Sequence, residues 1–249
     1  MKRALIGYTG FVGGNLLKCF EFDGLYNSKN IDDIKGKEIE QLFIAAPSAV
    51  KWLANKKPID DLNSIQNILE KLQKVDAKEV VLFSTVDVYG DDVKEKLNER
   101  YSLNLDIHPY GRNRAIFESY IKSMFEAKIV RLPALFGDNL KKNVIFDLLN
   151  DKMLENISLK TIFQWFDLSD LDEVVEKISN EKISVFNCVT EPIPTEEIID
   201  TFFPEKKHLC TGSSKAQYCL TSLYSKNGYM YNKECMLNKI QNFLKKVQK

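Results

Sequence analysis

The chain has 249 residues, 44% of them hydrophobic, enough for one large core or for a main domain with a small annex. Its 35 basic and 35 acidic residues cancel, which excludes a general electrostatic binder of nucleic acid. No apolar run reaches the about 18 residues of a membrane span, and the five scattered cysteines, odd in number and without C-x-x-C spacing, point to reduced thiols in a cytoplasmic protein.

Met1-Lys2-Arg3 leads into a strand-like run, Ala4-Leu5-Ile6, and not into a signal peptide. Gly7 ends that run, and Phe11, Leu16, Leu17 and Phe20 give helical spacing over residues 11–22. Residues 24–28 read as a second strand, and residues 42–46 as a third, stopped by Pro47. A helix is expected over 58–74, with Leu62, Ile65, Ile68, Leu69 and Leu72 on one face. Residues 79–84 form a continuous apolar strand of the kind found in parallel sheets covered on both sides. Pro109 starts a helix over 109–125, and residues 128–132 form the next strand. The alternation of strands and helices specifies an α/β fold, a doubly wound parallel sheet of Rossmann type with helices on both faces. Beyond Pro133 the rhythm loosens. Helices are expected over 144–153, 168–178, 194–203 and 232–247, with a strand over 183–189. Residues 1–135 are thus read as a dinucleotide-binding core, and residues 136–249 as a small substrate-binding cap and sheet edge that is not an independent domain.

Gly7-x-x-Gly10-x-x-Gly13 lies between a strand and a helix, the context a phosphate loop requires. Glycine lets the backbone turn and approach a pyrophosphate, and the helix N-terminus offers unpaired N–H groups to the anion. NAD sites place an acid near the end of the second strand to hold the ribose 2′-hydroxyl. Here that end reads Tyr26-Asn27-Ser28-Lys29, with no acid before Asp32. Ser28 and Lys29 suit a 2′-phosphate, so the cofactor is expected to be NADP or NAD, leaning to NADP. The cofactor contacts expected are Gly7, Gly10, Phe11, Val12, Gly13, Ser28, Lys29, Ala45, Ala46 and Pro133. The two histidines, His108 and His208, are far apart and show no metal-ligand spacing, so no metal site is assigned.

Two further segments are Phe83-Ser84-Thr85-Val86-Asp87-Val88-Tyr89-Gly90 and His108-Pro109-Tyr110-Gly111-Arg112-Asn113-Arg114. With the glycine loop they resemble the extended short-chain dehydrogenase/reductases, the NAD-dependent epimerase/dehydratase group that modifies sugar nucleotides. Residues 63–69, the segment from Arg131 to Gly137, and Phe186-Asn187 resemble further parts of that family, so the likeness covers most of residues 1–200. It implies that Tyr110 is the catalytic acid/base and that Thr85 hydrogen-bonds the reacting oxygen. A phenol serves either direction if a neighbouring cation stabilises the phenolate, and the cation one helical turn on is Arg114.

The sequence departs from that pattern at three places. The family's Tyr-x-x-x-Lys is Tyr110-x-x-x-Arg114, and Arg is not a conservative replacement for Lys. Ala134 stands where many sugar-nucleotide enzymes have Asn. Val86 replaces the Asp of the dehydratases' Asp-Glu pair, with Asp87 at the Glu position, which argues against dehydration. Ser48, Lys51, Asp87, Lys142 and Asn143 are candidate substrate contacts. The expected activity is NAD(P)-dependent C4 keto reduction or alcohol oxidation of a nucleotide-linked sugar. The alternatives are a C4 epimerase and, because of Arg114, a non-catalytic dinucleotide-binding sensor or scaffold. No nucleic-acid or membrane partner is expected. The resemblance implies a homodimer pairing through the helix that carries Tyr110 and the helix before it. Ile116, Phe117, Tyr120 and Met124 offer it an apolar face, although the C-terminal helix could cover that face within one chain.

Overall fold

The computed structural model describes residues 1–248, which fall into two compact units. The first comprises residues 1–90, 102–132 and 169–186. It is built on six strands: β1 (Arg3–Ile6), β2 (Gly24–Tyr26), β3 (Glu38–Ile44), β4 (Asp76–Thr85), β5 (Ala127–Leu132) and β6 (Val185–Asn187). Their spatial order is β6-β5-β4-β3-β1-β2, and the pairings from β2 through β1, β3 and β4 to β5 are all parallel. This is a Rossmann-like sheet, with the order reversing beside β1.

Parallel strands covered on both faces must be apolar on both faces. Alternate residues Ala4, Ile6, Leu42, Ile44, Val80, Leu82 and Ile129 join one buried cluster with Ile65, Ile68 and Leu72 of helix α3 (Pro58–Leu72) and Phe117 and Ile121 of α4 (Pro109–Met124). The intervening Leu5, Phe43, Val81, Phe83 and Val130 are buried too. On the remaining side, α1 (Phe11–Cys19) packs on α5 (Leu171–Asn180). Helix α1 stops earlier than periodicity predicts. Phe20 turns extended, and Phe20 and Phe22 set their rings edge-on to Phe43 at 5.3 and 5.5 Å. A short helix, α2 (Lys51–Lys56), lies between β3 and α3; the sequence reading has no element there. Buried Glu118 on α4 and Arg131 on β5 form a bidentate ion pair, extended by Ser84 of β4 and by the Tyr89 hydroxyl.

The second unit comprises, among the described residues, 91–101, 133–168 and 187–248. Strand Ala134–Phe136 pairs in parallel with Trp165–Asp167. Four two-residue strands, ordered Ile193–Pro194, Ile162–Phe163, Gln217–Tyr218 and Asp92–Val93, form a small sheet. Helices Val144–Asn150, Thr195–Phe202 and Lys233–Val247 close a core that holds Phe136, Trp165, Ile198, Met236, Ile240 and Phe243. The C-terminal helix thus places Met236, Ile240, Phe243 and Leu244 in the core of its own unit. Among the described residues, no helix is long and apolar enough to cross a membrane.

Candidate active site

At the C-terminal end of β1 the chain turns through Gly7 at φ +90°, and the Gly10 amide donates to the Gly7 carbonyl at 2.9 Å. Gly10 caps α1 without any side-chain hydrogen bond, so the amides of the first turn have neither a capping oxygen nor an intrahelical acceptor. A Cβ on Gly13 would run into the Gly7 carbonyl, and one on Gly7 into the Ala45 carbonyl. The cradle therefore exists only because both residues lack a side chain. Phe11, Val12 and Gly13 form the first turn of α1, and Ala45 and Ala46 follow β3 directly beside Gly7. These residues fit a dinucleotide pyrophosphate.

Past the end of β2, Ser28 and Lys29 are exposed. Asn27 there is occupied with its own loop: its Nδ2 donates to the Tyr8 hydroxyl at 3.0 Å, and its Oδ1 accepts from the Lys29 amide at 2.8 Å. The next acid, Asp32, is paired with Lys35 and with Lys71.

The second half of the site is built where α4 meets the end of β4. Pro109 opens the helix, the Nδ1 of His108 accepts from the Gly111 amide at 3.1 Å, and the Oδ1 of Asn55 accepts from the Tyr110 amide at 2.9 Å. A Cβ on Gly111 would strike the Asp87 carbonyl, so this glycine lets the first turn of α4 lie directly against the turn at Val86–Tyr89. That approach brings Tyr110 beside Thr85. The Thr85 hydroxyl lies close to the phenol, accepts from the Asp87 amide and donates to Asp87 Oδ2, each at 3.1 Å. Lys51 of α2 donates to Asp87 Oδ1 at 2.6 Å, and the Nε2 of His108 lies 3.6 Å from the same oxygen. Of the candidate substrate contacts, Lys51 and Asp87 are therefore brought together at Thr85.

Arg114 lies one turn after Tyr110 with its guanidinium 4.6 Å from the centre of the Tyr110 ring. Its Nη1 and Nη2 donate to the two oxygens of Asp61, each at 2.9 Å, and Nη2 also donates to the Ser48 carbonyl at 2.9 Å. Ser48 thus enters the site through its backbone. Asn113 Nδ2 donates to the same Asp61 at 2.9 Å. Burial pushes the Tyr110 phenol up to about 12. The Arg114 cation and the Thr85 hydrogen bond pull it down, while Asp87 and Asp61 add to the rise. Sequence reasoning expects a cation at this position to lower the phenol; desolvation outweighs it.

Asp61, Asn55 and His108 are the participants that sequence reasoning misses. Asp61 was findable in principle: an arginine on the buried side of a helix needs a carboxylate, and Asp60-Asp61 in the first turn of α3 supplies one. Pro133, Lys142 and Asn143 belong to the second unit. There Asn143 caps the helix at Val144, accepting from the Phe146 amide at 3.0 Å and donating to the Leu135 carbonyl at 2.7 Å. Burial lowers the Lys142 ammonium.

The model of the NAD dependent epimerase/dehydratase family matches residues 25–179. Among solved structures, a dTDP-4-dehydrorhamnose reductase from Clostridium acetobutylicum is 15% identical with a TM-score of 0.69, covering 100% of both chains. UDP-glucose 4-epimerase from Thermotoga maritima is 15% identical with a TM-score of 0.66, covering 93% of this chain and 89% of the other. A dTDP-glucose 4,6-dehydratase from Streptomyces venezuelae, with NAD bound, is 12% identical with a TM-score of 0.68, covering 93% and 87%. A search of curated proteins finds no significant match.

Proposed function

The chain belongs to the NAD dependent epimerase/dehydratase family, and we propose that within it the protein is a reductase, giving a hydride and a proton to the keto group of a nucleotide-linked sugar. The observation that carries this reading is the state of Tyr110. Burial, with Asp87 and Asp61 nearby, pushes its phenol up and favours the protonated form. A residue so held is ready to donate a proton and poorly prepared to remove one. Reduction of a ketone asks for a donor, whereas alcohol oxidation, and the C4 epimerisation that begins with it, asks first for a base.

The bound reduced nicotinamide would supply the hydride. Gly7, Gly10 and Gly13, with the first-turn amides of α1, would hold its pyrophosphate. Thr85 would hold the substrate oxygen against Tyr110, and Tyr110 would protonate the alkoxide as it forms. A Thr85–Asp87–Lys51 chain beside the phenol leads outward to a side chain that is one-third exposed. The absence of an acid past β2, and the commitment of Asp32 to two lysines, support NADP over NAD, with Ser28 and Lys29 toward the 2′-phosphate. The structural neighbours, a reductase, an epimerase and a dehydratase of sugar nucleotides, support the substrate class.

The test follows the absorbance of NADPH and NADH with a panel of 4-keto sugar nucleotides and their parent alcohols. Faster reduction than oxidation, with NADPH preferred, is expected. Turnover of the alcohols alone, or interconversion of epimers without net cofactor consumption, overturns the reductase assignment.

We further propose a homodimer formed through α3 and α4. Ile59 (71% exposed) and Leu62 on α3 and Tyr120 (54% exposed) on α4 support it as the apolar side chains a partner copy would cover.

A further inference from the structure

A guanidinium close over a phenol ring would ordinarily draw that phenol toward the phenolate. Arg114 has this position, yet its charge is already engaged. Asp61 reaches across from α3 and takes one hydrogen bond from each Nη at 2.9 Å, the fork-to-carboxylate geometry that is the strongest an arginine makes. The Ser48 carbonyl takes a second hydrogen bond from Nη2, and Asn113 holds the Asp61 carboxylate from the other side. Both side chains of the pair are nearly closed to water, at 5% and 9% exposure, so solvent screens little of their interaction. An arginine so held has a fixed position and a partner of equal and opposite charge.

We propose that Asp61 is a positioning residue for proton transfer: by engaging both Nη atoms of Arg114, it fixes the guanidinium over the Tyr110 ring and offsets part of its pull toward the phenolate, so that Tyr110 rests as a proton donor. This rests on the reading of Tyr110 as the proton-transfer residue and adds the reason it is held in one form. It also explains how the chain works with Arg where Lys is expected. An arginine is not deprotonated in proteins and cannot act as a proton carrier. Left unpaired beside the ring, it would favour the phenolate at all times. The Asp61 carboxylate opposes that bias and leaves the cation to fix the ring.

Among the described residues, charged and titratable groups reach Tyr110 from several elements. On its own helix and the residue before it there are Arg114 and His108, whose ring stacks on that of Tyr110 with centroids 6.4 Å apart. From the turn after β4 there are Thr85 and Asp87, the latter paired with Lys51 of α2; from α3 there is Asp61. Among these, Asp61 is the one whose removal leaves a bare cation against the ring.

The experiment is a pH titration of the full-length protein labelled with ¹³Cζ-tyrosine, the Tyr110 resonance being assigned by its loss in Tyr110→Phe. It needs neither substrate nor cofactor. In the native protein the resonance should stay at its protonated position up to pH about 11, consistent with a phenol near 12. In Asp61→Asn and in the smaller Asp61→Ser, the midpoint should fall by about one pH unit or more, the size expected for an uncompensated charge at this range in a partly polar interior. Asp61→Glu, which keeps the charge, should restore the native behaviour. A Tyr110 resonance that stays protonated through pH 11 in either folded neutral variant overturns the proposal; thermal melts identify which variants are folded. A midpoint that falls as expected in a protein that reduces no 4-keto sugar nucleotide keeps the role of Asp61 and removes the reductase reading.

Discussion

Tyr110→Phe removes a single oxygen at the point where Thr85 and the buried end of α4 converge. Because that oxygen carries the proton, turnover should fall about 10²-fold or more, the usual loss for a positioned acid–base group. Cofactor affinity, measured by nicotinamide fluorescence, should barely change, since the glycine loop is untouched. Thr85→Ala should cost less: it removes an orienting hydrogen bond and leaves the phenol in place. The pH profile separates directions. Reduction depends on the protonated phenol, whose fraction falls only as pH rises toward about 12. The rate of proton transfer to the ketone should therefore stay level from neutrality to about pH 10. A decline with a midpoint near 7 would assign the proton to another group. At this scale the sequence was legible wherever a residue's placement depends on its neighbours in the chain. Gly7, Gly10 and Gly13 share one turn, and Tyr110 and Arg114 share one helical face. Asp61 and Asn55 come from more than fifty residues away, and nothing local to α4 points to them.

Helix α4 carries Tyr110 on its first turn and is anchored further along by Glu118. That carboxylate receives Nε and Nη2 of Arg131 on β5 and the Ser84 hydroxyl at 2.6 Å, so it ties helix, strand and the residue next to Thr85 at one point. Glu118→Gln is nearly isosteric but leaves the Arg131 cation buried without its counter-charge. Urea unfolding should show a loss of about 3–5 kcal/mol, the cost of breaking a buried pair from one side. Elements with a strong period were readable: the strands that become β1, β4 and β5, and helices α3 and α4, begin and end within a few residues of their expected bounds. Helix α2 was not, because six residues make less than two turns and show no period. The end of α1 was misplaced because Phe20 and Phe22 continue the apolar pattern but pack on Phe43 from beyond the helix, Phe20 with an extended backbone. Tertiary packing there overrides local spacing.

For the molecule as a whole, the proposed homodimer is tested by light scattering, with a mass of two chains expected at micromolar concentration. Tyr120→Arg should shift the population toward one chain by placing a charge in the covered face, while the fold, read by circular dichroism, is retained. Of the apolar residues read on α4, Phe117 and Met124 pack on the chain's own core and Tyr120 is exposed; the order in which the chain builds its units left no mark in the sequence, because pairing between distant segments leaves no local trace. The path runs from the first unit to the second and back, with residues 91–101 and 133–168 interposed before 169–186 return. Strand β6 joins the sheet beside β5, yet it is made only at residues 185–187. During biosynthesis, β5 must therefore wait with an unpaired edge while more than fifty further residues are translated. An open edge of that kind is a template for pairing with other chains. A fragment ending at residue 168 should accordingly aggregate when expressed, where the full chain stays in solution, and a ribosome stalled in that interval would hold a nascent chain in need of a chaperone.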